Sequence, residues 1–212
     1  MRHVPFLMLT VLIAGCTHQS NMPVTRYHDD GRAKPIVAVA PIIDTTSFDA
    51  PWSLSEELTS MIVQRTGLSG EIFVQAAENN AFTENPFSGD LSWMKREFEA
   101  KEFVVFLELV QHEAVPVSQE KKNLPPQEIS TNLNMSLRMR VIDLRGPTPQ
   151  IVLQEMVKES YFVPKTLMPT DYSQVVWGSD QYKKSPMSIA HAQLAEEISH
   201  RISDYILLAK SR

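Results

Sequence analysis

Apolar residues in this chain recur with two different periods, and the change of period marks the elements. Residues 36–43 form a nearly unbroken run of β-branched and small side chains, Ile36, Val37, Ala38, Val39, Ala40, Ile42 and Ile43 around Pro41. A short continuous run of this kind predicts a strand buried on both faces. Leu54, Leu58, Met61 and Ile62 then follow at helical spacing, opened by the capping pair Ser53 and Glu56 and closed near Thr66 and Gly67. Residues 72–76 predict a second strand. A second helix is predicted over 91–100, capped by Asp90, with Trp93, Met94 and Phe98 on one face. Residues 102–110 hold Phe103, Val104, Val105, Phe106, Leu107, Leu109 and Val110, and predict the central strand.

Residues 132–141 alternate without a break. Leu133, Met135, Leu137, Met139 and Val141 point one way, and Asn132, Asn134, Ser136, Arg138 and Arg140 the other, as in a half-exposed antiparallel strand. A turn through Arg145, Gly146 and Pro147 leads to a partner strand over 150–163. The last element is a helix capped by Ser185, with Pro186 at its first position. Ile189, Ala192, Ala195, Ile198, Ile202, Ile206 and Ala209 form its apolar stripe. The order β-α-β-α-β-β-β-α predicts an α/β (α+β) fold: a single mixed sheet of about five strands with three helices packed against it.

Composition fits one ordinary domain. The chain has 212 residues, 43% hydrophobic and 21% charged, with a formal net charge of −5. That sign gives no general attraction to nucleic acid or to anionic headgroups. The lone cysteine, Cys16, excludes an intramolecular disulfide and any zinc cluster of the cysteine type.

Cys16 ends a segment with its own logic. Arg2 precedes an apolar stretch over 6–13, followed by Ala14 and Gly15. The charged, apolar and small-residue parts match a secretory signal peptide, and the stretch is shorter than the ~20 residues that span a bilayer. Ile13, Ala14, Gly15 and Cys16 resemble the lipobox of bacterial lipoproteins. The resemblance implies cleavage before Cys16, a diacylglyceryl thioether on its sulfur and an acyl group such as palmitate on its new amino terminus. Thr17, where an aspartate often favours inner-membrane retention, points to the outer membrane on its periplasmic side. The expected organisation is a signal peptide over 1–15, a lipidated cysteine and flexible tether over 16–34, and one globular domain over 35–212.

The lipobox, residues 37–41 and the buried run 103–107 together resemble a family of chlamydial lipoproteins of unassigned function. The element order is similar to periplasmic lipoproteins that build or regulate envelope machinery: the curli secretion-channel subunit, a polysaccharide-export lipoprotein and the activator of a peptidoglycan synthase. The resemblance implies a compact domain that offers contact surfaces to other proteins and performs no chemistry.

The sequence has no Gly-x-Ser-x-Gly elbow and no glycine-rich phosphate loop among its seven glycines. His191 and His200 are nine apart on the last helix, on opposite sides, and read as surface or partly packed. The pairs Glu56/Glu57 and Glu196/Glu197 read as solvated faces, and Lys121/Lys122 and Lys183/Lys184 as exposed loop charges. No catalytic residue, cofactor or metal site is expected. The candidate partner-binding residues are Tyr172, Trp177 and Tyr182 on the weakly patterned stretch 164–184, since large aromatics on loops favour partner surfaces. The alternative is that they fold back on their own sheet. The expected function is that of a membrane-anchored envelope protein that binds another envelope protein and no nucleic acid; the competing expectation is an envelope hydrolase with a non-obvious site.

Overall fold

The structure, a computed structural model, describes residues 25–77, 84–117, 130–164 and 170–211. Six strands form one mixed sheet: β1 (Ile36–Val39), β2 (Ile43–Asp44), β3 (Phe73–Ala76), β4 (Phe103–Pro116), β5 (Thr131–Asp143) and β6 (Gln150–Val163). Four helices accompany them: α1 (Leu54–Leu68), α2 (Met94–Glu97), α3 (Asp180–Lys183) and α4 (Pro186–Lys210). The sheet order is β3-β1-β4-β5-β6, with β2 also on β4. β1 pairs parallel with β3 and β4, while β4, β5 and β6 form an antiparallel meander. The central strand is therefore β4, as the apolar run predicts. Two elements exceed the expected count, the two-residue β2 and the single turn α3.

The run over 36–43 is one strand path with an interruption. Pro41 has no N–H for the ladder, so regular pairing stops after Ala40 donates to the Val105 carbonyl. Pairing resumes at Ile43 opposite Glu108, further along the same edge of β4.

One face of the sheet carries the main core. Val37, Val39, Phe103, Val105, Leu107 and Leu109 meet the odd-numbered side chains of β5 from Leu133 to Val141, and α1 and α4 close over them with Leu58, Ile62, Leu194, Ile198 and Ile202. The predicted inward set of β5 is the observed one. The caps hold as well: Ser53 accepts from the Glu56 N–H and Ser185 from the Ser188 N–H, with Pro186 in the first turn.

The second face is covered over part of its length by Trp93, Met94 and Phe98, packed on Ala38, Val104, Phe106 and Ile142. The shared face of these three is as expected, but the helix carrying them spans only 94–97, not 91–100. Asp90 accepts from the Ser92 N–H in a local turn instead of capping the helix, and the chain leaves helical geometry at the C-cap Phe98, at φ −111° and ψ 47°.

Residues 25–34 correct the expected tether. The Lys34 N–H donates to the Arg26 carbonyl and the His28 N–H to the Arg32 carbonyl, with Tyr27 bridged to Ala33. Gly31, at φ 82°, allows the tight turn. The Arg26 guanidinium lies 5.2 Å from the Phe73 ring centroid, which docks this hairpin on the sheet. Backbone bonds supply the order that its polar composition could not. Cys16, the signal segment and the loop with Lys121 and Lys122 lie outside the described residues.

Arg140 of β5 is buried against the second face. Its guanidinium donates to the carbonyls of Pro86, Phe87 and Ser88, and its Nε to Gln154 at 2.7 Å. Arg140→Met removes these donors and leaves the buried carbonyls unpaired, so the expected loss is about 2–4 kcal/mol in urea unfolding. Arg140→Lys recovers only part of it, because an ammonium cannot span the same fork. Wild-type stability in both variants would mean that the loop over 86–88 is held by other contacts.

Candidate functional site

The titratable groups with chemical potential meet inside the domain. Glu57 lies in the first turn of α1, among Leu54, Leu58 and Ile62, and is wholly buried. His191 of α4 is also wholly buried, and its Nδ1 stands 2.8 Å from Glu57 Oε1. Tyr182 of α3 donates its hydroxyl to the same oxygen. The other carboxylate oxygen accepts from the Trp52 indole N–H at 2.7 Å. On the far side of His191, its Nε2 lies 2.9 Å from Nε2 of His112 on β4. The Phe48 ring covers His112 at 4.4 Å between centroids.

His112 reaches this place through a bulge. β4 points its odd residues inward as far as Leu109, then the register shifts between Leu109 and Gln111. Parity inverts, and His112 faces the core opposite Met135.

Protons order the cluster. The carboxylate accepts, so Nδ1 of His191 carries a proton, and one further proton lies between the two Nε2 atoms. Burial alone would raise the Glu57 pKa; hydrogen bonds from His191, Tyr182 and Trp52 outweigh it and hold the carboxyl below its ordinary value. Burial, and then the neighbouring carboxylate, push the Tyr182 phenol far up. Burial and then the adjacent His191 ring lower His112 to about 4, against weaker opposing pulls from Asp44 and Glu57. The remaining ring nitrogen, Nδ1 of His112, has no hydrogen-bond partner among the described residues.

A carboxylate, an imidazole and a phenol in contact could move a proton if a substrate reached them. Both nitrogens of His191 and both oxygens of Glu57 are already engaged, and His112 is only 5% exposed. As placed, the cluster ties β4, α1, α3, α4 and the loop before α1 together.

These positions correct the sequence-based reading of Glu57 as solvated and of His191 as surface or partly packed. A signal was present in both helices: Glu57 falls between Leu54 and Leu58 on the apolar stripe of α1, and His191 falls four before Ala195 and seven before Ile198 on that of α4. A charged or polar residue inside a stripe calls for a buried partner. His112 carried no such signal, because a bulge is not written in the pattern. His200 is exposed, with Glu196 3.7 Å away.

The three aromatics of 164–184 do not form a common surface. Tyr182 is 2% exposed and belongs to the cluster. Tyr172 is half-buried, and its hydroxyl accepts from the Met187 N–H at 3.3 Å, near the start of α4. Trp177 is 37% exposed beside Val176, which is 72% exposed. It lines a surface cleft with Pro41, Ser55, Thr59, Val63 and Ala76, at the amino-terminal half of α1. A second cleft runs between α1 and α4, from Arg65 and Glu196 to Leu68 and Leu207. Neither cleft is lined by Glu57, His112 or His191. Among the described residues, no group of three or more His, Cys, Asp or Glu side chains could hold a metal ion, and no helix is long and apolar enough to cross a membrane.

An α+β domain with a parallel half-sheet, an antiparallel meander and two long helices on one face is the class this geometry defines. The chain belongs to the family of unknown function DUF7499, whose model matches residues 23–210. No curated protein matches it. Among solved structures, it is similar to the hypothetical protein CT253 from Chlamydia trachomatis at 23% identity and a TM-score of 0.65, over 82% of this chain and 98% of that one. It is also similar to protein XCC0632 from Xanthomonas campestris, of the family DUF330, at 9% identity and a TM-score of 0.53, over 85% and 90% of the two chains. Both likenesses show the fold. The PelC dodecamer from Paraburkholderia phytofirmans follows at 11% identity and a TM-score of 0.45, over 78% and 85%. Weaker matches include lipoproteins of Acinetobacter baumannii and Neisseria meningitidis.

Stability should fall with acid. The folded pKa of His112 lies below its unfolded value of 6.5, so the unfolded chain binds more protons between pH 6.5 and about 4. Stability is complete above that window and is lost as pH falls through it, by up to about 3 kcal/mol. Urea midpoints at pH 7 and pH 4.5 measure the slope, and His112→Asn should flatten it. A midpoint that does not move would place His112 in contact with solvent. Separately, Glu57→Gln leaves donors from Tyr182 and Trp52 facing a poorer acceptor, with an expected cost of about 3 kcal/mol at pH 7.

Proposed function

We propose that this protein is a lipid-anchored component of the bacterial envelope that binds or positions another envelope protein and catalyses no reaction. The observation that carries the reading is Cys16, placed after the apolar stretch and directly behind Ile13, Ala14 and Gly15. Its sulfur is the chain's only thiol, and nothing else in the sequence uses it. Lipid on that sulfur and on the new amino terminus gives firm anchoring, since each buried methylene contributes about 0.8 kcal/mol. Thr17 favours the outer membrane, with the domain in the periplasm.

The closed state of the Glu57–His191–His112 cluster supports binding over hydrolysis. A hydrolase of peptidoglycan or lipid would need a desolvated acid or base that opens on a cleft, and the acids and the histidine that line the two clefts, Glu56 in one and Glu71, Glu196, His200 and Asp204 in the other, are all exposed to solvent. The partner-facing candidate is the Trp177 cleft, where an indole stands beside a small apolar floor of Pro41, Val63 and Ala76.

Mass determination of the mature amino terminus should find Cys16 carrying a diacylglyceryl group and an acyl chain. Cys16→Ser should stay uncleaved and leave the membrane fraction. Crosslinking in cells, with a photoreactive residue beside Trp177, should yield one defined adduct, and Trp177→Ala should lower its yield several-fold without shifting the urea midpoint. No adduct above background, together with wild-type behaviour of Trp177→Ala, would remove the partner from this account.

A further inference from the structure

The fold has two ends that differ in kind. β1, β3 and β4 start level with one another, Ile36 beside Phe73 and Val37 beside Phe103. The two long helices run parallel: Glu57 meets His191, the Ile62 carbonyl accepts from Ser199, and Leu68 and Leu207 line one cleft. The carboxyl ends of α1 and α4 therefore lie at the same pole as the starts of the three parallel strands. The hairpin over 25–34 joins them there, with the Lys210 ammonium 3.4 Å from the Ala33 carbonyl. So does the β5–β6 turn, where Arg145 donates to the Ala209 carbonyl at 2.8 Å.

Thr25, the first described residue, sits at this pole, nine residues after Cys16. Nine residues reach at most about 30 Å. Because the hairpin is docked by Arg26 and Lys210, it cannot serve as extra tether. The opposite end lies further away: β4 and β5 stay paired from Phe103 and Asp143 to Pro116 and Thr131, and fourteen strand residues extend about 45 Å.

Three large apolar side chains are exposed at the near pole, each on a different element. Tyr27 of the hairpin is 60% exposed, Leu68 at the end of α1 75%, and Leu208 in the last turn of α4 51%. Scattered singly, such residues need no explanation. The far end also exposes Val115, Val117 and Phe162, so what singles out Tyr27, Leu68 and Leu208 is that they share the end of the domain at which the chain from Cys16 arrives. Charges of both signs surround them, three pairs in contact, Arg32 with Asp30, Arg145 with Asp143 and Lys210 with Glu102, and Asp29, Lys34 and Glu71 beside them. A surface of mixed sign has no general attraction to anionic lipid.

We infer that this pole is the membrane-contacting surface of the protein. Tyr27, Leu68 and Leu208 rest at the headgroup level of a zwitterionic phospholipid bilayer, as amphipathic aromatics and aliphatic side chains do at that depth. The far end of the β4–β5 hairpin and the Trp177 cleft point away from the membrane, toward a partner. The inference rests on the lipid anchor at Cys16 and adds the orientation in which the anchor holds the domain.

Lipidation leaves no free thiol, so one introduced cysteine can be labelled selectively. Full-length lipidated Leu68→Cys and Leu208→Cys, and at the far end Val115→Cys, would carry a bimane fluorophore on phosphatidylcholine vesicles containing a doxyl-labelled lipid. The expected result is quenching at 68 and 208 several-fold stronger than at 115, unchanged when a fifth of the lipid is phosphatidylglycerol. Flotation of the same samples separates the two ideas. Protein that does not float removes the anchor and this inference with it. Protein that floats but is quenched equally at both ends, or more at 115, overturns the orientation alone.

Discussion

A carboxylate taken out of water must be compensated where it lies, and Glu57 meets that constraint with three donors from three segments. The His191 imidazole, the Tyr182 phenol and the Trp52 indole all converge on its two oxygens. Each donor sits on an element with its own reason to form: His191 on a helix capped by Ser185 and Pro186, Tyr182 on the turn capped by Ser179, Trp52 just before the Ser53 cap. The carboxylate sets how these segments meet. His112 extends the same chain of contacts to the central strand, so helix and sheet are fixed relative to each other by polar as well as apolar contacts. Buried polar networks of this kind demand complete satisfaction, which makes them specific and intolerant of change.

Within this cluster the carboxylate, the imidazoles and the phenol are used in holding the fold. What remains for interaction is the outer surface, and its two ends are unlike. One end gathers the carboxyl ends of the long helices and the hairpin over 25–34. The other carries the extended β4–β5 hairpin and the exposed Trp177. Under the proposed anchor at Cys16, the hairpin over 25–34, docked on the domain by Arg26 and Lys210, keeps the two ends apart.

Regular elements were legible wherever one period persisted. The clean alternation of β5 specified its buried face, and Ser53, Ser185 and Pro186 specified where the long helices begin. Short-range competition blurred the rest. Pro41 split one apolar run into β1 and β2, and Asp90 spent its side chain on a local turn, leaving α2 a single turn long. Residues 25–34 owe their order to backbone bonds, which composition does not report. Of the interior cluster, Glu57 and His191 could have been found as polar interruptions of apolar stripes, whereas His112 depended on a bulge that inverts the parity of β4. Tyr182, expected with Trp177 on a partner surface, is drawn inward by Glu57, a contact between residues 125 apart in sequence.

Solvent access to the paired imidazoles tests the central claim most directly. Diethylpyrocarbonate acylates reachable imidazoles, and His200, with its side chain 73% exposed, supplies the internal control. Site-resolved mass spectrometry of the folded protein should show rapid modification at His200, with His112 and His191 reacting only at the rate of unfolding. Modification of His112 or His191 in step with His200 would mean that the cluster opens to solvent and to substrate, contradicting a fold whose reactive groups are closed in its interior.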